Sequence, residues 1–206
     1  MITIRHMQRL FDDHQHRRLY RELIAARPEA SFCALEPVLT RVIPIAALGL
    51  LRLDELSQAS TTLSRRLLDV LLTSQQPDGG WSDPMITSLC LRALLSSSGH
   101  GQATARGLAF LSRTQKPGGI WSRDPFHRMP PDPFASAFIL LQLGDQSSFR
   151  RSIRFDDAVD YFALNEKNLE PDTARLWSHA ATRCRIPADR RDTVIHTLWT
   201  TTRPAA

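Results

Sequence analysis

The sequence predicts an all-α protein built from repeated helical pairs. Three observations lead to this prediction. A sixteen-residue segment recurs forty residues further along the chain without a gap, the apolar residues in each copy follow the helical period, and acid–proline pairs mark four helix starts. The chain has 206 residues, of which 42% are apolar, and this size suits one compact domain. We therefore expect a single domain over residues 1–206.

The recurring segment comprises residues 66–81 and 106–121. In both copies an amphipathic helix ends near a glutamine, a proline two residues later prevents its continuation, and a glycine permits the tight turn that leads to a tryptophan. The chain is expected to reverse direction at both places. The repeated positions are Gln75, Gly79, Trp81, Gln115, Gly119 and Trp121.

The second repeating element is an acidic residue followed by proline. A carboxylate can accept hydrogen bonds from the free N–H groups of a first helical turn, and proline at the first helical position loses no hydrogen bond. The sequence therefore predicts a helix after each such pair. The pairs are Glu36–Pro37, Asp83–Pro84, Asp132–Pro133 and Glu170–Pro171.

The helices after these pairs are apolar around much of their circumference, as in an inner layer, and more highly charged helices between them form an outer layer. The inner helices are predicted at 37–53, 84–97, 133–143 and 171–184. The outer helices are predicted near 5–26, 60–74, 103–114, 154–164 and 188–200. Residues 1–30 are thus an N-terminal outer helix, 36–185 the helical-hairpin repeats, and 186–206 a C-terminal helix and tail.

The second copy of the segment resembles the QW repeat of squalene–hopene and oxidosqualene cyclases. The matching residues are Arg106, Gly107, Phe110, Leu111, Gln115, Gly119 and Trp121, and the first copy departs from them at Leu67 and Val70. The resemblance covers about residues 36–185. It implies an α/α-toroid-like helical repeat of terpene cyclases and prenyltransferases, with about four inner and five outer helices, in which the glutamines and tryptophans brace helix ends.

Four inner helices are fewer than a closed toroid contains, so an incomplete barrel or crescent is expected. Such a crescent exposes an apolar face, and faces of this kind mark an interface or a ligand groove. The expected partner is a hydrophobic small molecule or a protein, with a homodimer or another complex as the assembly. Peripheral contact with a membrane surface stays open.

The resemblance also indicates where an acid would lie. Class II terpene cyclases protonate their substrate with an Asp-x-Asp-Asp motif just before Thr-Ala, and residues 169–174 read Leu-Glu-Pro-Asp-Thr-Ala. Asp172 matches the last acid of that motif, whereas Pro171 stands at the proton-donating position. Asp172 is therefore a candidate catalytic residue, and the alternative is that Glu170 and Asp172 cap a helix.

Metal chemistry has weaker support in the residues. Asp156 and Asp160 have a spacing that suits Mg²⁺, but they fall on a predicted outer helix, which favours the alternative that they are solvated surface residues. Prenyltransferases of the same fold hold zinc with Asp, Cys and His, and the segment from Asp124 to Asp132 contains His127 without a nearby cysteine. We therefore predict no metal ligands and no cofactor, because these residues do not support a Mg²⁺ or a Zn²⁺ site.

The loop between Trp121 and Asp132 is much longer than its counterpart in the first copy, and insertions in repeat proteins tend to lie on the binding face. The alternatives are a proline-stiffened linker and, for the aromatic residues, ordinary core packing. Acids and aromatic rings suit cyclase chemistry because they supply protons and stabilise positive charge. The candidate catalytic residues are His127, Asp124, Asp132 and Asp172. The candidate substrate-binding residues are Arg123, Phe126, Arg128, Phe134, Phe138 and Trp177.

The charge, hydropathy and cysteine pattern of the sequence argue against several kinds of protein. The net charge of +5 comes almost entirely from scattered arginines, and no basic run alternates with aromatic residues, so a nucleic-acid partner is not expected. The sequence shows neither a signal peptide nor an apolar stretch long enough for a bilayer, and it predicts a cytoplasmic protein. Three cysteines without metal-binding spacing read as buried thiols.

The predicted function is that of a terpene cyclase- or prenyltransferase-like repeat protein that acts on, or binds, an isoprenoid or another hydrophobic substrate. If it is an enzyme, the resemblance implies a terpenoid cyclase-like isomerase or lyase. The alternative is a non-catalytic binding or scaffold module whose crescent grips a protein or peptide.

Overall fold

The computed structural model describes residues 42–97, 100–123 and 130–186, and within these ranges the secondary structure is helical, with no strand. The prediction of an all-α fold is confirmed. The eight α-helices of the described ranges are α1 Val42–Glu55, α2 Thr62–Ser74, α3 Pro84–Ser96, α4 Gly101–Thr114, α5 Pro133–Leu143, α6 Ser147–Ser152, α7 Phe155–Asn165 and α8 Pro171–Arg183, with a 3-10 helix at Glu166–Asn168 before α8.

Some predictions fall outside the described residues. These are the N-terminal outer helix, the Glu36–Pro37 helix start, the last outer helix, and the loop residues Asp124, Phe126, His127 and Arg128. None of the α-helices in the described ranges has the length and apolar character that a membrane crossing requires.

Two compact units emerge from the residue contacts. The first contains Met1–Ser82 and Ile86–Gly107, and the second contains Asp83–Met85 and Leu108–Ala206. The two are described separately below. The single domain over 1–206 stays a prediction.

In the first unit, α1 packs against α2. Leu50 and Leu53 of α1 and Leu67 and Leu71 of α2 are buried, as their helical spacing predicts. Thr61 caps α2 by accepting a hydrogen bond from the Ser64 N–H at 3.2 Å. The part of α3 within this unit is buried on nearly all sides as far as Leu94, which agrees with its prediction as an inner helix.

In the second unit, α5 packs against α8. Helix α5 is buried along most of its length, whereas α8 exposes Arg175, Ser178, His179, Thr182 and Arg183 along one face. The prediction that α8 is apolar around much of its circumference was therefore wrong, because its polar residues recur at helical spacing and make the helix amphipathic.

Three of the four predicted acid–proline starts lie in the described residues, and each of those helices begins at its proline. Asp132 caps α5, and its carboxylate accepts from the N–H groups of Phe134 and Ala135 at 2.9 and 3.2 Å. Glu170 makes no side-chain capping hydrogen bond, so its predicted capping role was wrong. At α8 the helix start rests on Pro171, whose fixed φ already suits the first helical position.

Helix α6 was not predicted. Its six residues are too few for an apolar period to be visible, and its one buried hydrophobic anchor is Phe149, which stacks on Trp121 with ring centroids 6.3 Å apart.

Candidate functional site

The first Gln–Trp loop clamps two helix ends through the amide of Gln75. Its Nε2 donates to the carbonyl oxygens of Gly79 and Ala103, both at 2.9 Å. Its Oε1 accepts from the guanidinium of Arg106. The side chain thus ties the end of α2, the turn after it and the first turns of α4 together.

The second loop repeats this geometry with different partners. Gln115 Nε2 donates to the carbonyl oxygens of Gly119 at 2.7 Å and Arg154 at 3.1 Å, and its Oε1 accepts from the Arg154 backbone N–H at 2.9 Å. Gln115 therefore ties the end of α4 to the start of α7.

The two tryptophans fasten each loop back onto the helix that precedes it. Trp81 Nε1 donates to the Leu71 carbonyl at 2.7 Å, and Trp121 Nε1 donates to the Leu111 carbonyl at 2.8 Å. Both indole rings have no exposed surface. Both carbonyls lie in the last turn of a helix, and the Leu111 carbonyl also accepts from the Gln115 backbone N–H at 3.1 Å.

The backbone N–H of each tryptophan is held by a hydroxyl group in the next inner helix. Thr87 Oγ1 accepts from Trp81 at 2.9 Å, and Ser136 Oγ accepts from Trp121 at 2.8 Å. Apart from the exposed bond between Arg106 and Gln75, these bonds lie between buried or half-buried groups, so the repeated positions brace the fold and leave the candidate chemistry to other residues.

A polar cluster lies at the start of α5. Asp132 Oδ2 pairs with Arg123 Nε at 3.1 Å, while Oδ1 makes the capping hydrogen bonds. The side chain of Arg123 is 42% exposed. The structure therefore brings one predicted catalytic residue, Asp132, and one predicted substrate-binding residue, Arg123, together as an ion pair.

Tyr161 of α7 lies within electrostatic range of Asp132, and sequence reasoning missed it. Burial, and next the negative charge of Asp132, raise the pKa of Tyr161 above its usual 10.0. The phenol stays protonated through the physiological range and can donate a hydrogen bond. No sequence signal joined it to Asp132, because the two lie on different helices and only the tertiary fold brings them near.

Aromatic side chains of α7 and α8 form a packed group that includes Tyr161. Phe162 stacks on Trp177 with centroids 4.5 Å apart and planes 12° apart, and Tyr161 meets Phe162 edge-on at 5.5 Å. Trp177 and Phe134 are buried, whereas Phe138 is half-buried. Of the predicted substrate contacts in the described residues, Phe138 and Arg123 are the most accessible.

The first two turns of α8 carry three buried side chains with polar groups, Asp172, Thr173 and Trp177. Asp172 is 7% exposed and Thr173 is 3% exposed. Within the described ranges, the indole Nε1 of Trp177 is the buried side-chain polar atom that has no hydrogen-bond partner. The candidate acid Asp172 lies in the first turn of the same helix.

The acids that suggested Mg²⁺ spacing lie at the surface. Asp156 is exposed and Asp160 is half-buried on α7. Nowhere in the part of the chain that the structure describes do three His, Cys, Asp or Glu side chains group in a way that could hold a metal ion. Cys90 and Cys184 are buried, and neither is in a disulfide bond.

Part of the chain is similar to a curated terpenoid enzyme. Over 77 residues it is 38% identical to the drimenyl diphosphate synthase of Streptantibioticus cattleyicolor, an alignment that covers 34% of this chain and 14% of that protein. The match spans only a small part of the relative's length. No family model and no solved structure matches the chain. The similarity relates about a third of this all-helical chain to a terpene synthase.

Proposed function

We propose that the chain is a terpene-cyclase-related helical protein that binds an isoprenoid or another hydrophobic substrate. The observation that carries the proposal is the 38% identity over 77 residues to drimenyl diphosphate synthase. The two matching Gln–Trp braces support it, because they hold the ends of successive helices rigidly, as a binding face built from several helices requires.

The substrate contacts are assigned to the second unit. Phe138 on α5 and Tyr161 on α7 are half-buried, so they keep ring surface available to an apolar chain. The stacked pair of Phe162 and Trp177 packs beside Tyr161 and holds it in place. Ring faces also attract developing positive charge, which is the property that a carbocation intermediate needs.

Asp172 is the acid assigned to any chemistry at this site. It is buried in the first turn of α8, while the neighbouring Glu170 is exposed and Pro171 has no proton to give. An Asp-x-Asp-Asp motif keeps one carboxyl protonated through its neighbours. Asp172 is the single buried carboxyl in that turn, so binding of a substrate is better supported than protonation of a substrate by this acid. The test below measures binding and product formation separately.

Arg123 is the cation assigned to a charged substrate head. Its guanidinium is partly exposed and already holds the carboxylate of Asp132. A diphosphate offers more acceptor oxygens than one carboxylate and would compete for the same donors.

The test is a titration of the purified chain with linear prenyl diphosphates and with squalene, followed by tryptophan fluorescence and then by product analysis. We expect saturable binding that weakens roughly tenfold in Phe138→Ala, about 1.4 kcal/mol, because a half-buried ring contact is lost. The control is Leu164→Ala, which removes an exposed apolar side chain of α7 that is 44% accessible and should leave binding unchanged.

The outcomes separate the functions. A cyclised or ionised product identifies an enzyme, and saturable binding without a product identifies a binding module for isoprenoids. Absence of binding to every isoprenoid, or equal losses in the two variants, contradicts the proposal. If the chain binds no isoprenoid but self-associates or binds a protein, the result favours the alternative of a non-catalytic scaffold module.

A further inference from the structure

The ends of α5 and α8 are joined by the side chain of Arg150, which belongs to the short helix α6. Its Nε donates to the carbonyl oxygen of Gly144, and its Nη2 donates to the carbonyl oxygen of Cys184 at 2.7 Å. Its guanidinium also lies over the ring of Phe155, 4.7 Å from the centroid. The cation of Arg150 is therefore held in one place beside the last residues of α8.

Arg154 extends this group of cations to the end of α4. Its Nη2 donates to the carbonyl oxygens of Gln115 and Lys116 at 3.0 and 2.7 Å. The fold thus brings together three segments that are distant in the sequence, 115–118, 144–157 and 182–186, and we call the surface that they form the basic surface. Its cationic residues are Lys116, Arg150, Arg151, Arg154, Arg183 and Arg185.

The basic surface has more cations than carboxylates. Its three segments contain six basic residues against three acidic ones, Asp145, Asp156 and Asp157. Asp145 is paired with Arg183 at 3.1 Å. Within the described ranges, Arg150 and Arg154 are held by carbonyl groups and take part in no ion pair. Because a carbonyl group does not cancel a full charge, the surface keeps an excess of positive charge.

Capping of helix ends accounts for only part of this arrangement. A cation near a helix C-terminus interacts favourably with the last carbonyl groups, which explains the positions of Arg150 and Arg154. That role does not require Arg151 and Arg185, which are exposed at the same surface. A surface with an excess of exposed cations attracts an anionic partner.

The other residues of the basic surface favour a lipid bilayer over a protein or a nucleic acid. A protein interface normally has an apolar core, yet within these three segments, all of which the structure describes, no large hydrophobic residue is exposed. Single-stranded nucleic acid normally stacks on aromatic rings, whereas Phe149 and Phe155 of this surface are buried. An anionic bilayer requires only that several basic residues reach its phosphate groups.

We propose that the basic surface docks the protein on a bilayer that contains anionic lipid, with its guanidinium groups against the lipid phosphates. Guanidinium suits phosphate because it offers several N–H donors in one plane. Arg150 and Arg154 lose little side-chain entropy on docking, since carbonyl groups already hold them. The inference does not depend on the proposed function, because no isoprenoid takes part in it.

The test is co-sedimentation of the purified chain with vesicles of phosphatidylcholine, either alone or mixed with phosphatidylglycerol. We expect binding to the mixed vesicles and none to the neutral ones, because the attraction is electrostatic. Binding should weaken by about tenfold or more between low and physiological ionic strength, because salt screens exposed charges.

Two double variants separate this surface from the net charge of the chain. Arg151→Glu with Arg185→Glu should weaken binding to the mixed vesicles by about tenfold or more, since two attractive charges become repulsive. The matched control is Arg65→Glu with Arg66→Glu, which changes the net charge equally at two exposed residues of α2 and should bind more strongly than the first variant. All four side chains are exposed, so both variants should keep the helix content of the wild type, which circular dichroism checks.

The proposal is overturned if the chain does not bind the mixed vesicles at low ionic strength, or if the two double variants lose binding equally. Inorganic phosphate distinguishes a docking surface from a discrete phosphate site. At equal ionic strength, phosphate and chloride should release the protein alike, and release by phosphate alone contradicts docking on a bilayer. Preferential binding to DNA or to polyglutamate, in competition with the vesicles, would assign the surface to another class of partner and also overturn the proposal.

Discussion

Gln115 hydrogen-bonds both polar backbone atoms of Arg154, donating to its carbonyl at 3.1 Å and accepting from its N–H at 2.9 Å. In the other direction, the Arg154 guanidinium donates to the backbone carbonyls of Gln115 and Lys116 at 3.0 and 2.7 Å. One side-chain amide therefore acts as a peptide group between the end of α4 and the start of α7, and the reciprocal bonds make the connection a four-point clamp.

Replacing Gln115 by leucine should destabilise the protein by about 3 kcal/mol, because it strands the Arg154 N–H and two carbonyl groups in a largely buried place. Chemical unfolding monitored by circular dichroism measures the change. The control is Gln76→Leu in the first Gln–Trp loop, where the side chain is exposed and a change within about 0.5 kcal/mol is expected. Equal losses in both variants would contradict a specific role for the clamp.

The adjacent Gly118 and Gly119 separate backbone strain from crowding. Both have left-handed φ values, +86° and +80°. A Cβ at Gly118 meets nothing within 4 Å, whereas one at Gly119 would run into the Ala158 N–H and lie 2.5 Å from the Asp157 carbonyl carbon. Gly118→Ala should cost about 1–2 kcal/mol of unfolding free energy from the φ value alone.

Gly119→Ala should cost more than about 3 kcal/mol, since the start of α7 must also move. The measurement is the midpoint of chemical unfolding for Gly118→Ala and for Gly119→Ala under the same conditions. Similar midpoints for the two alanine variants would show that close packing against α7 is not what requires Gly119.

The helix bounds were well predicted where a local signal marks them. The segment 133–143 was predicted and Pro133–Leu143 is observed, because a capping acid and a proline fix its start. The brace partner of Gln115 could not be predicted, since Arg154 lies just before a helix that nothing in the repeat points to. The proximity of Tyr161 and Asp132 was missed for the same reason, as it depends on tertiary packing and not on sequence spacing.

Asp132 and Glu170 allow capping to be tested at equivalent positions before proline. Asp132→Ala should lower the unfolding free energy by about 1 kcal/mol or somewhat more, because two capping hydrogen bonds and the ion pair with Arg123 are lost. Glu170→Ala should cost less, because Glu170 makes no capping bond. A larger loss in Glu170→Ala than in Asp132→Ala would contradict this assignment.

The charge of Asp132 should be visible in the titration of Tyr161. Asp132→Asn keeps a good capping residue and removes the negative charge, so the pKa of Tyr161 should fall, while burial keeps it above 10.0. Ultraviolet absorbance of the tyrosinate follows the titration, and Tyr161→Phe identifies the signal, since the chain has 2 tyrosines. An unchanged Tyr161 titration in Asp132→Asn would show that the two groups do not interact.

Cys184 should make the protein less stable in alkaline solution. Burial is the largest effect on the thiol and raises the pKa of Cys184 from 9.0 to about 11, and the nearby arginines oppose part of the shift. Between these two pKa values the unfolded chain loses the proton and the folded chain keeps it. The unfolded state then binds fewer protons, so the free energy of unfolding must decrease as pH rises through this window and stay unaffected by this group below about pH 9.

Cys184→Ser isolates the effect, because serine keeps a small polar side chain near the Leu140 carbonyl, which the thiol contacts at 3.8 Å, and it does not titrate there. Unfolding free energies measured at about pH 8 and about pH 10.5 should differ more for the wild type than for the variant. Equal pH dependence in the two proteins would mean that the thiol is as free to ionise in the fold as in the unfolded chain. Its packing between the carbonyl of Leu140 and the Cα of Gly144 argues against that freedom.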